Sequence, residues 1–215
     1  MKIIKAGYQI MTPMNGMEIL KHIERCGRVC YKSEDKITDD SCVQFIKSIL
    51  KRGHESVIEH FSFTVKFICD RGVSHEIVRH RLASYSQEST RYCNYGNDDG
   101  GCTFIEPSAL FNGSSTGYLK KECMKLWEGT MIQAESNYLN LLKAGASPQE
   151  ARSVLPNSLK TEVIMTANLR EWRHFFRLRT SKAAHPQIRE VAIPLLEELK
   201  TIIPVVFDDI GCSNE

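Results

Sequence analysis

Residues 79–92 read Arg79-His80-Arg81-Leu82-Ala83-Ser84-Tyr85-Ser86-Gln87-Glu88-Ser89-Thr90-Arg91-Tyr92. Three guanidinium groups, an imidazole and the hydroxyls of Ser84, Tyr85, Ser86, Ser89 and Thr90 crowd a stretch with little apolar material for a core. A guanidinium meets phosphate oxygens with two parallel hydrogen bonds, and hydroxyls add short neutral donors. The plain alternative is a solvated, charged loop. A helix-like pattern before the stretch and an extended rhythm of aromatics and hydroxyls within it favour a fixed backbone. That backbone would hold an anionic, oxygen-rich ligand. A second cationic run holds Arg170, Arg173, His174, Arg177 and Arg179.

Other chemistries find less support. His54-Glu55-Ser56-Val57-Ile58-Glu59-His60 offers two histidines and two acids, but the histidines stand six apart, where a zinc helix needs them four apart. Ser56 occupies the place the reversed zinc motif gives to histidine, so no metal is expected. There is no Gly-x-Ser-x-Gly elbow, no Walker loop and no Gly-x-Gly-x-x-Gly fingerprint. Eight cysteines contain no Cys-x-x-Cys pair. Cys26 and Cys30 are read as buried free thiols in a reducing, cytoplasmic setting. Cys30 has Arg28 and Lys32 nearby, a thin basis for a nucleophile.

Several elements are needed to position the arginines. Residues 2–11 read as a first strand and 17–31 as a helix. A second helix starts at Asp39-Asp40-Ser41 and closes at Gly53. Residues 61–67 alternate apolar and polar, as a half-buried strand does. Val73, Ile77 and Val78 line one side of a helix whose other side carries Glu76, Arg79, His80 and Ala83. Residues 84–95 are expected to run extended. Polar loops at 94–101 and 111–117 flank a short strand at 103–105. The longest helix, 118–143, carries the stripe Leu119, Cys123, Leu126/Trp127, Met131, Ala134, Tyr138 and Leu142, suited to a core or a subunit interface. Ser147-Pro148-Gln149-Glu150 starts a helix that ends at Leu155-Pro156. Residues 159–166 read as a strand. Asn168 with Glu171 caps a helix that turns Leu169, Trp172 and Phe176 inward and the basic residues elsewhere. Pro186 opens the last helix.

The chain has 215 residues, a 42% apolar fraction and a formal charge of +2. One domain spanning 1–215 is the simplest account, of α/β (α+β) type, with a mixed or antiparallel sheet packed against helices and no Rossmann unit. No apolar run approaches the roughly 18 residues of a membrane span, and the opening residues carry no signal-peptide pattern. The low net charge argues against a nucleic-acid-coated protein.

Arg79-His80-Arg81, seven residues, then Ser89 resembles the signature of the flavin-dependent thymidylate synthases. The resemblance continues in order through His54-Glu55-Ser56 with Glu59-His60, Ser89-Thr90-Arg91-Tyr92, Ala151-Arg152-Ser153-Val154-Leu155-Pro156, Asn168-x-Arg170, Phe175-Phe176-x-Leu178-Arg179 and His185-Pro186-Gln187. It implies a homotetrameric FAD enzyme that methylates dUMP at C5. 5,10-Methylenetetrahydrofolate would give the carbon and NADPH the reducing equivalents, with sites shared between subunits. FAD would lie against His54, Ser56, Arg79, His80, Arg81, Gln87, Asn168, Arg170 and His174. Deoxyuridylate would meet Glu76, Arg79, Gln87, Glu88, Ser89, Thr90, Arg91, Arg152 and Arg179. Arg179 would activate the uracil ring without a cysteine nucleophile. Glu76 stands where many members carry Gln, Gln87 where some carry Glu, and His174 where part of the family has Asn. Two other readings compete. A single-stranded nucleic-acid binder would stack bases on Tyr85, Tyr92 and Tyr95. A phosphotransferase would need a Mg²⁺ carboxylate pair, for which Glu76 and Glu88 are the candidates.

Overall fold

Two long strands alternate between buried and mostly half-buried residues along nearly their whole length, and the fold is built on them. The computed structural model describes residues 1–97, 101–107, 111 and 117–211. Strand β3 (Ser62–Asp70) buries Phe63, Val65, Phe67 and Cys69, and β6 (Lys160–Asn168) buries Thr161, Val163, Met165 and Ala167. Side chains two apart share a face, so each strand lays one apolar face on a core. The four-stranded sheet runs β2 (Gly7–Ile10), β3, β6, β4 (Ala83–Gln87). The Leu169 N–H bonds the Phe61 carbonyl, and the Thr64 and Thr166 hydroxyls meet at 2.8 Å. One number rises as the other falls, so β3 and β6 are antiparallel. A second sheet pairs β1 (Lys2–Ile4) in parallel with β5 (Thr103–Ile105). The single first strand expected over 2–11 is thus two strands in different sheets.

The helices are α1 (Gly16–Val29), α2 (Ser41–Lys51), α3 (Arg71–Ile77), α4 (Gly117–Lys143), α5 (Pro148–Ala151), α6 (Leu169–Arg179) and α7 (Pro186–Ile202). The architecture is mixed α/β. The chain divides into two compact units. The first is made of Met1–Gly7, Phe67–Arg79 and Ser86–Ile164, and the second of Tyr8–Lys66, His80–Tyr85 and the chain from Met165 on. In the first, Tyr95, Cys102, Phe104, Met131, Tyr138, Ala151 and Leu159 form a buried cluster. In the second, Phe63 stacks on Trp172 at 4.8 Å between ring centres, and Phe175, Phe176 and Phe207 continue the aromatic core. A Cβ on Gly27 would sit 2.6 Å from the Phe45 ring, so only glycine lets α1 pack this closely on α2.

Several expectations are corrected. The α3 helix stops at Ile77, so Arg79 and His80 follow a helix end and do not stand on a helix face. The Arg79 N–H reaches back to the Glu76 carbonyl, tightening that last turn. Regular strand ends at Gln87, because the Tyr92 and Cys93 N–H groups both turn back to the Ser89 carbonyl. On α4 only Met131, Ala134 and Tyr138 are buried, while Leu119 and Leu126 are exposed. Cys30 is exposed and Cys26 half-buried, whereas Cys42, Cys69 and Cys102 are buried free thiols. Arg28 bonds Glu24 at 2.7 Å and lies over the Phe45 ring, so it is not directed to activating Cys30. Parts of the expected loops, 98–100 and 112–116, lie outside the described residues, as does Cys212. No helix among the described residues is long and apolar enough to cross a membrane.

Candidate functional site

The boundary between the units falls inside the signature: Arg79 belongs to the first, and His80 and Arg81 to the second. Each unit presents its own cationic site.

In the first unit, Asp70 caps α3 by accepting from the Val73 N–H at 2.7 Å, which sets the position of Arg71. Arg71 lines a cavity of about 440 Å³ with Thr90, Gln149, Arg152, Ser153 and the apolar Leu155 and Leu159. Its Nη1 is buried without a hydrogen-bond partner. A buried guanidinium N–H without an acceptor is costly, and an anionic oxygen entering the cavity would satisfy it. Arg152 donates from Nη1 to Thr90 Oγ1 at 3.0 Å, and Arg91 donates from Nε to Gln149 Oε1 at 3.3 Å. Arg91 also lies over the Tyr92 ring at 5.5 Å. Ser89 Oγ accepts from the Arg91 N–H. The Gln87 amide donates to Ser74 Oγ at 2.9 Å and to Thr161 at 3.4 Å. Glu88 accepts from the Tyr95 hydroxyl at 2.7 Å on one oxygen and from Lys160 Nζ at 2.8 Å on the other. Burial and Glu88 push the Tyr95 phenol well up, so it stays protonated as that donor. Glu88 therefore anchors the turn after β4 in this conformation, which removes half of the proposed Mg²⁺ pair. Of the expected nucleotide contacts, Thr90 and Arg152 line the cavity. Glu76 is half-buried and Arg79 exposed, and neither is among its lining residues.

In the second unit, the Asn168 side chain accepts from the Glu171 N–H at 2.9 Å and starts α6, as the cap pattern predicts. The Glu171 side chain turns to His80, with Oε1 3.1 Å from Nδ1. The other ring nitrogen, Nε2, accepts from Arg179 Nε–H at 3.1 Å. Burial, then the nearby Arg179 and His174, push the His80 pKa down to about 4. Burial raises the Glu171 carboxyl. His54, Ser56, Arg81, Arg170 and His174 are exposed. Arg170 is ion-paired with Glu59 through Nη1 at 2.6 Å on the exposed surface. Ligand atoms of His80, Glu171 and His174 lie within 4.8 Å of one another. A cation there would compete with the Arg179 guanidinium for Nε2 and with the Nδ1 proton, so the group is better suited to hydrogen bonding than to metal.

Arg173, expected to face away from the core, is 1% exposed. It donates from Nη2 to Glu55 at 3.1 Å and to Asp209 at 2.7 Å, and from Nη1 to the Val206 carbonyl. Arg177 joins Glu55 at 3.0 Å. These bonds hold Glu55 in the 3-10 turn Glu55–His60, just after His54. A second cavity, about 630 Å³, is lined by Arg177, Thr180, Ser181, Lys182 and Arg189 among others. None of the residues expected to bind a ligand lines it. Sequence reasoning missed Arg71, which stands outside the motif, and the side-chain role of Glu171, whose spacing from Asn168 already explained it as a cap.

Fold and site define a mixed α/β protein whose two units each carry a cluster of arginine side chains. Residues 14–205 match the model of the thymidylate synthase complementing protein family, and the chain belongs to that family. Flavin-dependent thymidylate synthases of Pyrococcus furiosus and Geobacter sulfurreducens are each 36% identical to it, over 169 and 191 residues. That of Corynebacterium efficiens is 33% identical over 209 residues. The alignments cover 78%, 86% and 92% of this chain, and 66%, 78% and 81% of the relatives. Among solved structures, a UMP/dUMP methylase from Streptomyces cacaoi bound with 5-Br dUMP has the same fold. Its TM-score is 0.78 at 24% identity, over 96% of this chain and 95% of that one.

Proposed function

We propose that this protein is a flavin-dependent thymidylate synthase: it methylates dUMP at C5 with 5,10-methylenetetrahydrofolate as carbon donor and NADPH as reductant. The family match over residues 14–205 carries the reading. The named relatives act as flavin-dependent thymidylate synthases, and the methylase structure holds a bromo-dUMP. The working form would be a homotetramer of single 1–215 catalytic domains without a Rossmann unit, its sites shared between subunits. The exposed apolar half of α4, with Tyr118, Leu119, Leu126 and Ile132, supports such an assembly.

The first-unit cavity is suited to the nucleotide phosphate. Arg71 and Arg152 supply charge-assisted donors there, and Thr90 fixes the orientation of Arg152. Arg91 and Ser89 flank the cavity as further contacts, with Gln87, Glu76 and Arg79 along the same segment. In the second unit Arg179 is suited to the uracil ring. A guanidinium facing the ring carbonyl and N3 stabilises the negative charge that makes C5 nucleophilic, and no cysteine attack is required.

The exposed donors of the second unit, His54, Ser56, Arg81, Arg170 and His174, suit a cofactor with pyrophosphate and ribityl oxygens, while Asn168 is engaged as the α6 cap and His80 is buried. These donors would hold FAD, which when bound passes reducing equivalents from NADPH to the one-carbon unit. The test joins a spectrum to an assay. Protein incubated with FAD and desalted should stay yellow, shift its absorbance on addition of dUMP, and release tritium from [5-³H]dUMP when folate and NADPH are present. A colourless, inactive protein under folding conditions overturns the reading.

A further inference from the structure

We propose that Glu171 is a positioning residue, acting through His80 to hold the Arg179 guanidinium in place. The inference rests on the role given to Arg179 above. Arginine carries donors only, so Arg179 Nε–H donates to His80 Nε2 across 3.1 Å, and that nitrogen must bear a lone pair. A neutral imidazole then keeps its proton on Nδ1, 3.1 Å from Glu171 Oε1, and the carboxylate accepts it. Each bond dictates the next.

His80 is 3% exposed and Glu171 6%, so water competes poorly for either. The groups around the ring are Glu171, His174 and Phe175 of α6, Arg179 at its end, and Tyr85 of β4. The Tyr85 hydroxyl donates to the His80 carbonyl at 2.6 Å, so the backbone is pinned as well as the ring. Burial and the two neighbouring basic groups keep the ring neutral. A protonated ring would turn an N–H toward the Arg179 N–H and break that bond, loosening the guanidinium's orientation. Loss of Glu171 would free the ring to place its proton on Nε2, with the same result.

The test uses two variants of the full chain. Glu171→Met is close in size and lacks an acceptor, while Glu171→Gln keeps a carbonyl oxygen. The His80 tautomer is read by ¹⁵N NMR on ring-labelled protein, and kcat and KM for dUMP on the flavin-loaded enzyme. The unmutated protein should show Nδ1–H. Glu171→Met should move most of the population to Nε2–H and lower kcat at least tenfold, with KM for dUMP within threefold. Glu171→Gln should restore Nδ1–H and recover at least threefold of the lost kcat. A persistent Nδ1–H in the Met variant overturns the relay, as does an unchanged kcat alongside a switched tautomer. Should the Met variant not fold, Nε2–H in the unmutated protein is itself decisive against it. The tautomer needs no turnover to be seen. Failure of the synthase reading, seen as no tritium release by the unmutated chain, is therefore told apart from failure of the relay.

Discussion

A guanidinium that steadies charge growing in a ring and one that grips a phosphate leave different kinetic traces when removed. Arg179→Ala should keep the flavin spectrum while kcat falls by about 100-fold or more, the usual scale for a lost electrostatic contact to the transition state. Turnover near normal would remove Arg179 from that role. Arg71→Met should raise KM for dUMP about tenfold with kcat little changed, since a charge-assisted bond to bound phosphate acts in ground and transition states alike. An unaltered KM would place the phosphate elsewhere. His80 gives a pH signature. Its folded-state pKa is depressed from 6.5 to about 4, so on acidification the unfolded chain takes the proton first. Its contribution to stability is whole above pH 6.5 and is lost as pH falls toward 4, on the order of 3 kcal/mol in total. Urea midpoints measured from pH 7 to 4 should fall accordingly, and a flat profile would contradict a buried neutral ring.

The elements were legible in the sequence where their signals were local. The box of Ser147 and Glu150 stands as read, with the Ser147 N–H donating to the Glu150 carboxylate at 2.8 Å. Asn168 caps α6 as its spacing from Glu171 predicts, and the alternation of 61–67 is a strand. The segment 79–83 misled because its spacing continued the helical pattern, while tertiary bonds to His80 won over it. The partners of His80 and Arg173 stand 91 and 118 residues away, and no local pattern records such a pairing. The candidate site was legible as a list of residue types and not as a bonding scheme. Arg173 shows the cost of that difference. It was read as a surface cation, yet it closes a network of Glu55, Asp209 and the Val206 carbonyl. Arg173→Met should destabilise the protein by about 3 kcal/mol, because it leaves the Val206 carbonyl without this donor, takes from Glu55 one of its two guanidinium partners and puts an apolar chain among polar groups. Thermal unfolding checks this, and a loss under 1 kcal/mol would mean that water replaces the bonds without penalty.

At the scale of the whole molecule, α4 presents Tyr118 at 78%, Leu126 at 65% and Ile132 at 53% exposure. Charges placed there test the assembly without touching either cationic site. If the proposed tetramer forms through this face, Leu126→Asp with Ile132→Asp should lower the light-scattering mass to that of a smaller species and lower activity with it. A mass unchanged from the unmutated protein would put the subunit interface on another face. The second unit is stitched from three stretches, 8–66, 80–85 and 165 onward, with the first unit's segments threaded between them. That interleaving bears on synthesis at the ribosome. His80 is made long before Glu171 and Arg179, so its imidazole waits for Glu171 while the chain grows by 91 residues. Closing so long a loop is slow and entropically opposed. The helices α1 and α2 can pack as soon as both are made, whereas the bonds of His80 to Glu171 and Arg179 become possible only after the stretch from Met165 on leaves the exit tunnel.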